Sequence, residues 1–191
     1  MPLKTRLGTL VIALLAFVLA FPFADRVLRA LLTTSQAMNN IYEQQYQMGR
    51  FVQEYYEGES LALNDIGAVT YLADTRLLDL WGLASKEVAK AKLDQAYGPG
   101  VIAGLADQHG VRIAIVYDLF FDETGGLPAS WDKVGEWRIR NNRVCASDVV
   151  AFYAVEPDAK AKLIQNLRDF QAELPPDVEQ SGEYLGSEGG S

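Results

Sequence analysis

The first block of the hydrophobic pattern, Leu7 to Ala24, carries no charge and a single hydroxyl, Thr9. A bilayer core takes roughly 20 apolar residues of helix. The run comes close to that, and Val27 and Leu28 can extend it. Pro22 falls near its end, where a kink is tolerated. A cleaved signal peptide with Lys4 and Arg6 as its charged flank is one competing reading. The run is longer than a usual signal core, however, and Pro22-Phe23-Ala24 is a poor cleavage site. A buried core helix is the other, but a helix apolar on every face needs a larger protein around it. The pattern favours one transmembrane helix over residues 7–28, preceded by a short cytoplasmic N-terminus, residues 1–6. Lys4 and Arg6 stand against Arg26 and Arg29, one of them offset by Asp25, which mildly favours an inside N-terminus.

From Ser35 to Tyr56 the period changes to that of an amphipathic helix. Met38, Ile41, Met48, Val52 and Tyr55 follow spacings of three and four, with Gln45 filling the missing place, and Glu43, Arg50 and Glu57 lie opposite. This segment, residues 35–57, is expected to pack one face on the domain. Leu61 to Asp65 reads as a buried strand, Ala68 to Ala73 as a short helix, and Arg76 to Leu80 as a second strand. Ser85 is placed to cap a helix running from Lys86 to Tyr97. Gly98-Pro99-Gly100 breaks the chain before a helix from Val101 to Gln108, with Gly110 as its C-terminal cap. Val111 to Tyr117 is β-branched and nearly continuously apolar, as a strand covered on both faces should be. Val134 to Arg140 and Val149 to Val155 are strands that could pair antiparallel, and Pro157 opens a last helix reaching Phe170. These elements predict an α/β domain over residues 58–172: a three-layer sandwich with a mostly parallel sheet and an antiparallel edge. The Pro-, Gly-, Ser- and Glu-rich end, residues 173–191, is expected to be disordered, above all Gln180 to Ser191.

Composition removes several functions. The chain of 191 residues has a formal net charge of −8 and no clustered basic run, which excludes a nucleic-acid partner. One cysteine, Cys145, and one histidine, His109, support neither a structural zinc site nor a Cys–His nucleophile pair. No phosphate-cradling glycine loop follows a strand, no nucleophile elbow is present, and no cofactor, metal site or catalytic residue is assigned. His109, before Gly110, reads as a solvated helix-end residue.

The most suggestive chemistry lies where the first two strands end. Asn64-Asp65-Ile66-Gly67 is a polar cluster after a buried strand, the place where open α/β sheets hold ligands. Asp79, two residues before Trp81-Gly82, ends the second strand. If the strands are neighbours, Asp65 and Asp79 could share one edge and hold a metal or a proton. Alternatively, Asp65 caps the short helix and Asp79 bonds loop amides. Tyr42, Tyr46, Tyr55 and Tyr56 suit core packing or the headgroup level. Trp131 and Trp137 are weaker candidates for contacting carbohydrate.

The ordered set Asn39-Asn40-Ile41-Tyr42-Glu43-Gln44-Gln45-Tyr46-Gln47-Met48, Asn64-Asp65-Ile66-Gly67-Ala68, Tyr71 and Asp79-Leu80-Trp81-Gly82-Leu83 resembles the extracytoplasmic C-terminal region of bacterial polytopic glycosyltransferases. These are the GT-C type, dolichyl-phosphate-mannose mannosyltransferase and aminoarabinose transferase-like. The resemblance covers roughly Asn39 to Val155. It implies a single-pass protein of the bacterial inner membrane with its domain on the periplasmic side. It also implies a polytopic membrane glycosyltransferase, a polyprenyl-phosphate sugar or a glycan acceptor as partners. Asn64, Asp65, Gly67, Asp79 and Trp81 become candidate ligand or acceptor contacts. The catalytic aspartate of such enzymes lies in their membrane part, which has no counterpart here. The expected function is therefore an accessory or interaction module. A free-standing enzyme using Asp65 and Asp79, and a purely structural anchored domain, are the alternatives.

Overall fold

The computed structural model describes residues 3–186. Residues 1–2 of the expected cytoplasmic N-terminus and 187–191 of the expected tail lie outside them. The chain opens with one long helix. α1 (Leu3–Ile41) runs into a π-helical segment (Tyr42–Tyr46) and on into α2 (Gln47–Tyr55). The membrane span and the amphipathic helix anticipated as separate elements are therefore continuous. Among the described residues this is the one helix long and apolar enough to cross a membrane.

The face that packs on the domain differs from the expected one. Met38 and Ile41 are exposed, whereas Asn40, Glu43, Gln44 and Gln47 are buried, followed by Met48, Phe51 and Val52. The helix enters the domain on a polar stripe and turns apolar only from Met48. The five-residue turn at Tyr42–Tyr46 widens the helix and carries this buried face across. At Gly49 an added Cβ would come 2.5 Å from Leu72 Cδ1, so the glycine allows close approach of α3 (Gly67–Leu72).

Six strands form one mixed sheet: β1 (Ser60–Leu63), β2 (Arg76–Asp79), β3 (Ile113–Val116), β4 (Asp132–Arg138), β5 (Val149–Ala154) and β6 (Glu179–Gly182), in the order β2-β1-β3-β5-β4-β6. β1 pairs parallel with β2 and with β3; β3–β5, β5–β4 and β4–β6 are antiparallel. The sheet is thus mixed, and its antiparallel part is larger than the edge the sequence suggested. β4 and β5 pair antiparallel as anticipated, and the segment expected to be disordered supplies a further strand. That segment is ordered because Tyr184, fully buried, lays its ring over Gly135, where a Cβ would also fall 2.7 Å from Ser181 O.

Alternation along the strands divides the core. Leu61, Leu63, Ile113, Ile115, Val150 and Phe152 face α2 and α6 (Ala159–Phe170). Ala62, Leu78, Ala114 and Val116 face α4 (Lys86–Leu93) and α5 (Pro99–His109). Val134 and Trp137, an odd spacing apart, share the first face because the β4–β5 register slips between Lys133 and Gly135. Trp137 stacks on Phe170 in that core, and Trp131 is also buried, so neither is available to a carbohydrate. The chain breaks before α5 as anticipated, but Pro99 itself opens that helix, two residues ahead of the expected start, and Gly110 closes it in the left-handed conformation. α4 stops at Leu93, short of the expected Tyr97, and Gln95 takes a φ of 55°.

Candidate functional site

Strand order decides where a site can form. β1 lies between β2 and β3, so the connections leave it in opposite directions, and the crevice between the carboxyl ends of β1 and β3 is the switch point. The residues just past those ends meet there. Asn64 Oδ1 accepts the Tyr117 N–H at 3.0 Å. Asp65 Oδ2 accepts the Tyr117 hydroxyl at 2.9 Å and Gln45 Nε2 at 2.7 Å. The same hydroxyl lies 3.0 Å from Gln44 Oε1, while Gln44 Nε2 donates to Ser147 O at 3.0 Å. One proton faces two acceptors, and the charged carboxylate is the stronger. Burial first, then the Asp65 charge, pushes the Tyr117 hydroxyl far above its ordinary value, so it stays a donor. The crevice is therefore closed by the chain's own π-helical segment. Asn64 Nδ2 is buried beside it without a partner. Gly67 opens α3, and its missing Cβ would meet only Asp65 Oδ1, 4.0 Å away.

Asp79 is drawn into different bonds. It is 1% exposed, and its two oxygens accept the Trp81 N–H at 2.8 Å and the Ala84 N–H at 2.6 Å. Its own N–H donates to Ser85 Oγ at 2.8 Å, so the Ser85 hydroxyl holds this loop instead of capping α4. Asp65 and Asp79 share no hydrogen-bond partner. Among the described residues no three His, Cys, Asp or Glu side chains group as metal ligands.

The loop that Asp79 ties presents Trp81 to an open cleft of about 370 Å³. Gly82, at φ 88°, makes the turn; a Cβ there would come 3.0 Å from Ala89 N. Phe120 meets the Trp81 ring edge-on at 4.8 Å. Lys92 Nζ sits 3.9 Å above the Trp81 ring and 4.9 Å from the Tyr97 ring, and donates to Trp81 O at 2.9 Å. Tyr97 is fixed by its own hydroxyl, which donates to Leu80 O at 2.7 Å. Burial lowers the Lys92 pKa, against the opposing pull of Asp79. Gln95, Glu123 and Thr124 complete the lining with an amide, a carboxylate and a hydroxyl. With Lys92 lying on the Trp81 and Tyr97 rings and Glu123 opposite in charge, the cleft combines aromatic surface with donors and acceptors, a lining that suits a polar hydroxylated ring.

Of the residues singled out from sequence, Asn64 and Asp65 meet at the switch point, Gly67 lies beside them, and Asp79 positions Trp81 at the cleft. Tyr117, Gln44, Lys92, Tyr97 and Phe120 were not foreseen. The Gln44-Gln45 pair interrupting an apolar stripe was the one signal pointing to the first group.

The model of a family described as a domain of unknown function, DUF8728, matches residues 39–153, and the chain belongs to that family. No curated protein matches, and no solved structure does.

Proposed function

We propose that this DUF8728 member is a membrane-anchored accessory module of lipid-linked-sugar glycosyl transfer, holding a glycan acceptor or a polyprenyl-phosphate sugar at the Trp81 cleft for a separate polytopic glycosyltransferase. The observation that carries this reading is the cleft: an aromatic platform with Lys92, Gln95, Glu123 and Thr124 around it. It opens at the carboxyl end of the sheet, with α1 leading from the domain to the membrane span. The resemblance to the C-terminal region of polytopic glycosyltransferases supports the same reading and is the reason for proposing a periplasmic domain on a bacterial inner membrane. The alternative, an enzyme built on Asp65 and Asp79, is less well supported, because each carboxylate is already engaged by the chain's own donors.

Trp81 is half-exposed while Trp131 and Trp137 are buried, so among the tryptophans a ligand in the cleft reaches Trp81, and the ligand-induced change in fluorescence reports on the cleft. Titrating the detergent-solubilised full chain with a polyprenyl-phosphate sugar or its oligosaccharide acceptor should quench that signal. Trp81→Ala should abolish the quenching, and Lys92→Ala should weaken binding roughly tenfold, the loss of about 1.4 kcal/mol, in a chain that circular dichroism shows still folded. No quenching by either ligand, together with unaltered glycans in a deletion strain, would remove the reading.

A further inference from the structure

The long helix carries two opposed stripes. One is polar: Arg26, Arg29, Thr33, Gln36, Asn40, Glu43 and Gln47 recur at alternating spacings of three and four. Its upper part is the face that docks on the domain. Asn40 Nδ2 donates to Arg140 O at 3.1 Å, the Arg143 N–H donates to Asn40 Oδ1 at 2.9 Å, and Glu43 and Gln47 are buried. The other is apolar: Leu28, Leu31, Met38 and Tyr42 follow the same alternation, with only Ser35 polar, and Val27, Leu32, Ile41 and Tyr46 flank it. This second stripe is bare. Leu31 is 72% exposed, Met38 68% and Tyr42 50%. It continues the spacing of Leu10, Leu14, Phe17, Phe21 and Ala24 inside the apolar run.

We propose that this stripe pairs with the same stripe of a second copy of the chain, forming a parallel helical stalk between the membrane and the domain. Four observations select that occupant. Positions repeating at three and four over nearly five heptads are what helices paired in register require. The flanking positions from Val27 to Tyr46 carry no charge, so identical parallel helices meet without like-charge repulsion. The domain is bonded to the opposite side of the helix, which leaves room for a partner along the whole stripe. Anchoring in one bilayer already sets two copies parallel and at equal height. A lipid surface is a poorer fit. α1 passes Pro22 and reaches Ile41 as one helix, and beyond a span ending at Leu28 the part from Arg29 to Ile41 alone covers ~18 Å at 1.5 Å per residue, beyond a headgroup layer.

Disulfide trapping in native membranes tests the pairing, with Cys145 replaced by Ser so that each variant has one thiol. Leu31→Cys and Met38→Cys should cross-link to a band of twice the mass under mild oxidant, and Thr33→Cys and Gln36→Cys should not. In detergent, sedimentation of Met38→Glu should show at least a tenfold loss of the paired form. Three outcomes overturn the inference: equal trapping at all four positions, trapping only to a different membrane protein, or no trapping together with lipid-quenched labels at residues 31 and 38.

Discussion

At the scale of single residues, groups at the closed crevice and at the Trp81 cleft hold their protons more tightly than the unfolded chain would. Burial chiefly, then Asp65, Glu43 and Asp148, pushes the Cys145 thiol from 9.0 up to about 11. The Tyr117 and Tyr97 hydroxyls are likewise raised, by burial first. For groups raised in the folded state, the linked stability is complete below the unfolded pKa and is lost as pH rises through the folded one. Unfolding of the full chain in detergent should therefore be insensitive to pH between 7 and 8.5. It should weaken from about pH 9, first through Cys145 and then through the tyrosines. Cys145→Ala should delay the onset by about one pH unit; an unchanged onset would show that the thiol is not linked to folding. At pH 7.5 the native thiol should alkylate far more slowly than in the unfolded chain, because a two-unit shift cuts the thiolate fraction roughly 100-fold. That Asn64 and Asp65 fall together just past the end of β1 was legible in the sequence, because a buried apolar run stops there at polar residues and glycine; whether Asp65 capped the next helix or met another strand was not. Lys92 and Tyr97 were not, since they reach the cleft from α4 and the turn behind it, and nothing in their local sequence marks that convergence.

At the scale of elements, the π-helical segment is where the sequence misleads most. The apolar positions Met38 and Ile41 repeat as a packing face should, yet the domain takes the polar stripe instead. A periodicity argument finds a stripe and cannot tell which partner it serves. The polar stripe is held by specific bonds, and Gln44 is their centre: it reaches both Ser147 O and the Tyr117 hydroxyl. Gln44→Leu keeps the volume and removes both bonds. Tyr117 retains Asp65 as an acceptor, while Ser147 O is left buried without its donor, at a cost of about 1–3 kcal/mol. Hydrogen exchange should speed up across residues 140–148 and stay slow in β3 and β5. Unchanged protection of that loop would mean that Asn40 alone suffices to dock the helix. The strands of the parallel half, by contrast, were readable because Ile113 to Val116 is apolar at every position and buried at every position.

At the scale of the whole molecule, the two edges of the sheet are built differently. β2, at one edge, leads into the loop that carries Trp81; β6, at the other, closes the core over Trp137 and Gly135. The composition of the tail hid this second role. Glu179 to Gly182 is polar and mostly exposed, and its place comes from the backbone ladder to β4, the buried ring of Tyr184 and bonds such as Arg140 to Glu179 and Arg168 to Tyr184 O. Ending the chain at Val178 removes that ladder and uncovers the Trp137 side of the core. Loss of one large buried aromatic costs about 3–5 kcal/mol, which for a domain of this size lowers the melting temperature by roughly 10 °C. The cleft is built from β2, α4 and the loop after β3, at the far edge of the sheet. The truncated chain should therefore keep ligand-induced quenching of Trp81 at temperatures where it is still folded. Lost stability with retained binding would separate the two edges, whereas binding lost in step with residues 179–191 would mean that the tail shapes the cleft through the sheet.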